Sequence, residues 1–231
     1  MSPGFHRLMG AQGLAGLADN ALLLVVIAML IEQSKAAHWI PLLKLGFTLS
    51  YVVLGPWVGR LADAWHKPRV MQWANVLKLM AVLSILLGLD VMLAYVWVGL
   101  GAAIYSPAKY GWITEVEPPH RLVHANAWIE VSTVSAAVFG VALGGLLISD
   151  TWTQSQLAQA INVWAWWDSR LGASVVLILG LYVAVAWIQR GIPHSGVPCL
   201  SRGWHLGQVW RAFGLIKKPF GPTPWAKSAW P

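Results

Sequence analysis

A carboxylate in the middle of an apolar helix is the first residue to explain. Asp19, followed by Asn20, stands inside the run from Leu8 to Ile31, just before eleven consecutive apolar residues, Ala21 to Ile31. Lys44, Lys78, Lys109 and Glu130 sit in similarly apolar surroundings. A charge at the centre of a bilayer costs on the order of 2.5–3.5 kcal/mol on insertion scales, so such residues face a partner, a cavity or a substrate and not lipid. Asp19 is too short to reach the interface and reads as a proton-linked or substrate-contacting carboxylate. Lys44 lies near the outer end of its run, where a long stem reaches water. Lys78 stays open between the two readings. Lys109 and Glu130 fall at similar depth, which fits either a structural ion pair or a binding site. Lys109 closes the run Tyr105-Ser106-Pro107-Ala108-Lys109. Pro107 removes a helix hydrogen bond and favours a kink, and interrupted helices in membranes line cavities. A cation in such a wall suits an anionic head group such as phosphate.

The elements that position these charges follow from composition. The chain has 231 residues, 57% hydrophobic and 11% charged, with a mean hydropathy of +0.59. Soluble domains carry about 25% charged residues, and disorder needs low hydrophobicity, so both classes are excluded. A single cysteine, Cys199, excludes an intramolecular disulfide framework and a multi-cysteine metal site. An all-α integral membrane protein remains, with spans predicted at about 8–31, 40–59, 70–89, 91–113, 123–148 and 171–189, each near the ~20 residues a bilayer requires. Residues 1–190 then form a six-helix bundle and 191–231 a tail. Strands are not needed, because the runs are continuous and not alternating. With the N-terminus inside, twelve of the 16 Lys and Arg residues fall on the inner side and two, Lys35 and Arg170, on the outer. That bias places both ends in the cytoplasm and accounts for the net charge of +7 without nucleic acid. The N-terminal stretch is not expected to be a secretory signal, since only Arg7 precedes the apolar run and Asp19 and Asn20 lie inside it. Of sixteen tryptophans, Trp39, Trp57, Trp112, Trp128, Trp152 and Trp187 fall near span ends, as in an interfacial belt. Gly55/Gly59 and Gly140/Gly144 have the four-residue spacing of close helix contacts.

The loop Gly59-Arg60-Leu61-Ala62-Asp63-Ala64-Trp65-His66-Lys67-Pro68-Arg69 resembles the signature loop of the major facilitator superfamily. There Gly59 allows close helix approach, Asp63 caps or pairs with a neighbouring helix end, and Lys67 and Arg69 anchor to carboxylates or anionic lipid. Such a latch makes and breaks as a transporter alternates. Four further segments are similar to the bacterial lysophospholipid transporters within that superfamily. They are Leu17-Ala18-Asp19-Asn20-Ala21-Leu22-Leu23, Pro41-Leu42-Leu43-Lys44, the run from Gly99 through Ser106-Pro107-Ala108-Lys109-Tyr110-Gly111, and Ala125-Asn126-Ala127-Trp128-Ile129-Glu130. The resemblance covers roughly residues 8–195. It implies the N-terminal half of a superfamily fold in the bacterial inner membrane. It also implies a lysophospholipid substrate of the lysophosphatidylethanolamine type and an acyltransferase/acyl-carrier-protein synthetase partner. Asp19, Asn20, Lys44, Lys109 and Glu130 become the substrate-binding or coupling residues.

Two departures accompany the resemblance. The superfamily encloses substrate between two six-helix halves, and this chain corresponds to one; a lone half is expected not to transport. The stretch from Gly196 to Pro231 is rich in Pro, Trp and basic residues without a helical period. Codons compatible with its later part, read two nucleotides on, allow a sequence similar to the family's approach to a seventh helix. A frameshift near residues 193–207 followed by truncation is therefore expected. The competing functions are a facilitator of another small solute, a non-functional truncated product and a membrane lipid enzyme. The last needs clustered aspartates or a His/Asp/Glu metal site, whereas the nine acidic residues are scattered. No catalytic residue, metal or cofactor is expected.

Overall fold

In a computed structural model the described residues are 1–35, 38–162 and 170–196, with backbone alone for 54–57 and 59–64. They form α1 (Pro3–Glu32), α2 (Trp39–Ala64), α3 (Lys67–Leu86), α4 (Val91–Val116), α5 (Pro119–Ile148), the short α6 (Asp150–Thr153) and α7 (Gln156–Asn162), and α8 (Gly172–Arg190). Five of these, α1, α3, α4, α5 and α8, are long and apolar enough to cross a membrane, and the first part of α2, Trp39–Val53, is apolar as well. No strand occurs among the described residues. The predicted tail lies outside them beyond residue 196, as does most of the 193–207 segment.

The helix starts have local causes. The Ser2 hydroxyl caps α1 by accepting from the Phe5 N–H at 3.2 Å, with Pro3 in the first turn. Asp90 caps α4 through the Leu93 N–H at 3.0 Å. Prolines open α3 and α5 as well, where a missing N–H costs nothing. Ser149 caps α6, and the connection before α8 contains two short helices, α6 and α7, that its Gln- and Trp-rich sequence does not announce. Helix α4 runs unbroken through Pro107.

Helix α5 packs on α1, α3 and α2 both pack on α4, and α8 packs on α1 and α3. One apolar cluster, with Leu22, Val26, Ile85, Val98 and Ile178, fills the half distal to the N-terminus. Another, with Phe5, Met71, Trp112 and Ile129, fills the N-terminal half. Trp112 corrects the belt expectation: it is fully buried, with its indole N–H donating to the Pro193 carbonyl at 3.0 Å. A ring with an internal acceptor packs in the core and has no need of the interface. Trp187, by contrast, is 75% exposed.

Ion pairs mark the two ends. At the distal end Arg170 pairs with Glu32 and with Asp150, and Lys35 with Asp90. At the N-terminal end the Ser2 N–H and hydroxyl both donate to Glu117 Oε1 at 3.0 Å. Burial pushes the Glu117 carboxyl up, but the two Ser2 bonds, the N-terminal ammonium and Arg121 outweigh it and hold the group below its ordinary value of 4.5. A depressed carboxylate stabilises the fold above its unfolded value, and the contribution disappears as pH falls through the folded one. Thermal unfolding below pH 4.5 is therefore expected to show a smaller acid-induced loss in Glu117→Gln than in the wild type. Identical pH profiles would remove this role.

Candidate functional site

On α3, Lys78 falls between the two apolar clusters; on α1, Asp19 lies at the edge of the first cluster, and on α4, Lys109 lies beside residues of the second. Asp19 on α1 receives Lys78 from α3, with Nζ 2.6 and 2.8 Å from the two carboxylate oxygens. The Tyr182 hydroxyl on α8 donates to the same carboxylate at 2.5 Å, and Lys78 Nζ stands 5.8 Å from the Tyr182 ring centre. Gly101 makes this possible. A Cβ there would lie 2.7 Å from both the Ala74 carbonyl and Lys78 Cγ, so only glycine lets α4 cover the lysine stem. The Asp19 carboxylate is thus neutralised by a cation and a hydroxyl, as buried charges require. Lys78 is 4% exposed.

Lys109 has a different environment. Although buried, it forms no salt bridge among the described residues. Its Nζ lies 4.4 Å from the Tyr110 ring centre, a cation–π contact. Glu130 on α5, the alternative ion-pair partner, instead accepts the Tyr110 hydroxyl at 2.9 Å. Tyr110 therefore stands between the cation and the carboxylate. Tyr110 and Glu130 are exposed at the side of the bundle. Asn20 donates to the Gly16 carbonyl in its own helix at 2.8 Å and is half-buried. Lys44 is exposed on α2, apart from these groups and consistent with a stem reaching the interface. The structure thus brings Asp19 together with Lys78, and Lys109 with Glu130 through Tyr110.

In the latch segment, Gly59 and Asp63 lie where no side chain is described. Lys67 pairs with Glu115 in the last turns of α4, and Glu115 also accepts the Ser195 hydroxyl at 2.5 Å. A Cβ at Gly111 would meet Lys67 Cε at 2.6 Å, so a glycine admits the lysine to that carboxylate. Arg69 is exposed.

Several polar residues escape sequence reasoning. Tyr182 sits in a nineteen-residue uncharged run and looks like any lipid-facing aromatic. Asn75 donates to the Tyr182 carbonyl at 3.0 Å, while its own Oδ1 is buried without a hydrogen-bond partner among the described residues; the Tyr105 hydroxyl and the Gln189 side chain are buried beside one another. Lys78 was visible as a charge of opposite sign to Asp19 within a span, and that sign is the signal for the pair.

A bundle of apolar helices with charged groups in its interior is the architecture of a membrane-spanning protein, and comparison with known proteins gives its family. The family model of the Major Facilitator Superfamily matches residues 8–220, and the chain belongs to that superfamily. The six long helices among the described residues correspond to the N-terminal half of the superfamily fold. More particularly, it is 37% identical over 215 residues to the lysophospholipid transporter LplT of Serratia proteamaculans (strain 568), covering 89% of this chain and 51% of that protein. It is 37% identical over 209 residues to LplT of Photorhabdus laumondii subsp. laumondii, covering 90% and 48%. Against LplT of Escherichia coli O1:K1 the identity is 42% over 146 residues, 63% of this chain and 37% of that one. The chain spans about half the length of the first two.

Proposed function

We propose that the chain supplies one half of a transporter that moves lysophospholipids, of the lysophosphatidylethanolamine type, across the bacterial inner membrane. One observation carries the assignment of the binding group. Lys109 is a buried cation that forms no salt bridge among the described residues. A phosphate offers it a charge-assisted bond, while the ammonium of an ethanolamine head group complements Glu130. Asn20 and Lys44 complete the proposed set. Asp19, held by Lys78 and Tyr182, is the coupling member: any change that separates it from Lys78 creates two unpaired charges, so its pairing sets the relative energies of alternate states.

The positive residues at the N-terminal end and after α8 support a cytoplasmic location for both ends. Gly59, Asp63, Lys67 and Arg69 act there as the latch. Residues 1–190 are the transmembrane unit. Lysolipid delivered to the inner leaflet is a substrate for re-acylation, which supports an acyltransferase/acyl-carrier-protein synthetase as the downstream partner.

The test measures binding of lysophosphatidylethanolamine to the purified chain in phosphatidylcholine nanodiscs. Lys109→Gln is expected to weaken it by about tenfold or more, as for a lost charge-assisted contact, while Lys35→Gln at the distal end leaves it unchanged. A monoacylglycerol, which has the chain but no phosphate, is not expected to compete. Equal binding by wild type and Lys109→Gln refutes the assignment.

A further inference from the structure

Two arginines meet at the N-terminal end of the bundle, outside the site described above. Arg7 projects from the second turn of α1, and Arg190 is the last residue of α8. With Trp187, Ile188 and Gly191 they line a recess of about 510 Å³. Arg7 Nη1 donates to the Gly191 carbonyl at 2.5 Å. A Cβ at Gly191 would lie 3.0 Å from Arg7 Nη1 and 3.2 Å from its Cδ and Cζ. The guanidinium therefore lies flat on the glycine and is held in place by it. That acceptor is neutral, and neither arginine has a salt bridge among the described residues. One positioned guanidinium, that of Arg7, and the exposed Arg190 thus line one recess.

The surface leading away from this recess is apolar. On α8, Leu177, Gly180, Val183 and Trp187 are all exposed and recur at three- and four-residue spacing, so they form one stripe that ends at Arg190. From Leu177 to Arg190 the stripe runs about 20 Å at 1.5 Å per residue. Nothing lies within 4 Å of a Cβ built at Gly180, which leaves a shallow groove in its middle. A charged recess at the interface continued by an apolar stripe has the polarity of a phospholipid with its head group at the end of the helix.

We infer that this recess binds the phosphate of a diacyl anionic phospholipid from the surrounding leaflet, with an acyl chain lying along the α8 stripe. The charge complementarity selects the head group: two forks match phosphate oxygens, and basic pockets between transmembrane helices hold anionic lipid heads. The occupant is a bound membrane lipid and not cargo, because the recess is built from α1 and α8 ends and contains none of Asp19, Lys109 or Glu130. The inference rests on the reading of α8 as membrane-spanning and is independent of the identity of the transported solute.

Native mass spectrometry of the full chain, released from detergent after equilibration with equal phosphatidylglycerol and phosphatidylcholine, tests it. The wild type is expected to retain phosphatidylglycerol in preference. Arg7→Gln/Arg190→Gln is expected to reduce that preference about tenfold or more, at ~1 kcal/mol for each basic residue near an anionic surface. Arg121→Gln/Lys35→Gln removes as many charges elsewhere and keeps the preference. Gly191→Val, which displaces Arg7 without changing charge, is expected to lower retention as well. Addition of inorganic phosphate does not displace the lipid. Equal retention by the wild type and the Arg7/Arg190 variant overturns the proposal, as does an equal loss in the Arg121/Lys35 control. Lysophosphatidylethanolamine binding, measured in parallel, persists in the Arg7/Arg190 variant, so failure of the transport reading is scored separately.

Discussion

Lys78→Met is expected to destabilise the bundle by about 3–5 kcal/mol, the cost of leaving one member of a buried ion pair unpaired. Asp19 remains in the interior, its side chain 18% exposed, with only the Tyr182 hydroxyl to hold it. Asp19→Asn is expected to cost a similar amount, since Lys78 is then the orphan. The double variant Asp19→Asn/Lys78→Met removes both charges and recovers most of the loss, while it still lacks the groups assigned to coupling. Tyr182→Phe costs less, about 1.5–3 kcal/mol for a hydrogen bond to a charged group. Thermal unfolding in detergent micelles, followed by tryptophan fluorescence, measures all four. A Lys78→Met melt that coincides with the wild type would show that the pair contributes nothing to the fold. A double variant as unstable as the sum of the singles would show that the two residues are not coupled.

The second large effect concerns the contact between α1 and α5. A Cβ at Gly140 would lie 2.6 Å from the Leu17 carbonyl and 2.8 Å from Asn20 Cβ. The first of these is helix backbone, which cannot rotate aside. Gly140→Val is therefore expected to cost about 3 kcal/mol, at the upper end for overpacking, and to part α5 from α1. Gly144→Ala, with a Cβ 3.0 Å from the Ala21 carbonyl, costs less. Gly145 provides the internal standard: nothing lies within 4 Å of its Cβ, so Gly145→Ala is expected to be neutral or stabilising by ~0.5–1 kcal/mol from helix propensity alone. Unfolding of the three variants side by side decides it. Similar melts for Gly140→Val and Gly145→Ala would contradict the close contact.

These residues also show what is legible in a membrane sequence. The uncharged runs ending at Ala108, Ser149 and Gln189 announce α4, α5 and α8 because lipid tolerates little else. The spacing of Gly140 and Gly144 announces a helix contact, though not that α1 is the partner. Asp19 and Lys78 are each visible as expensive charges. Their pairing is not, because it depends on the register of α1 against α3, and that register is set by packing at positions such as Gly101. Tyr182 and Gln189 carry no signal at all, since an apolar span accommodates either residue on any face. Trp112 misleads for the same reason: proximity to a helix end says nothing of which way the ring points.

The central ion pair has a consequence for how the chain is made. Asp19 precedes its cation by 59 residues and its hydroxyl partner by 163. During synthesis α1 emerges before α2 and α3, so its carboxylate is made before Lys78 can reach it. Until then lipid is a poor solvent for that helix, at a cost on the order of 2.5–3.5 kcal/mol. The ion pair of α1 therefore forms only once α3 has been made, and its Tyr182 contact only once α8 has followed.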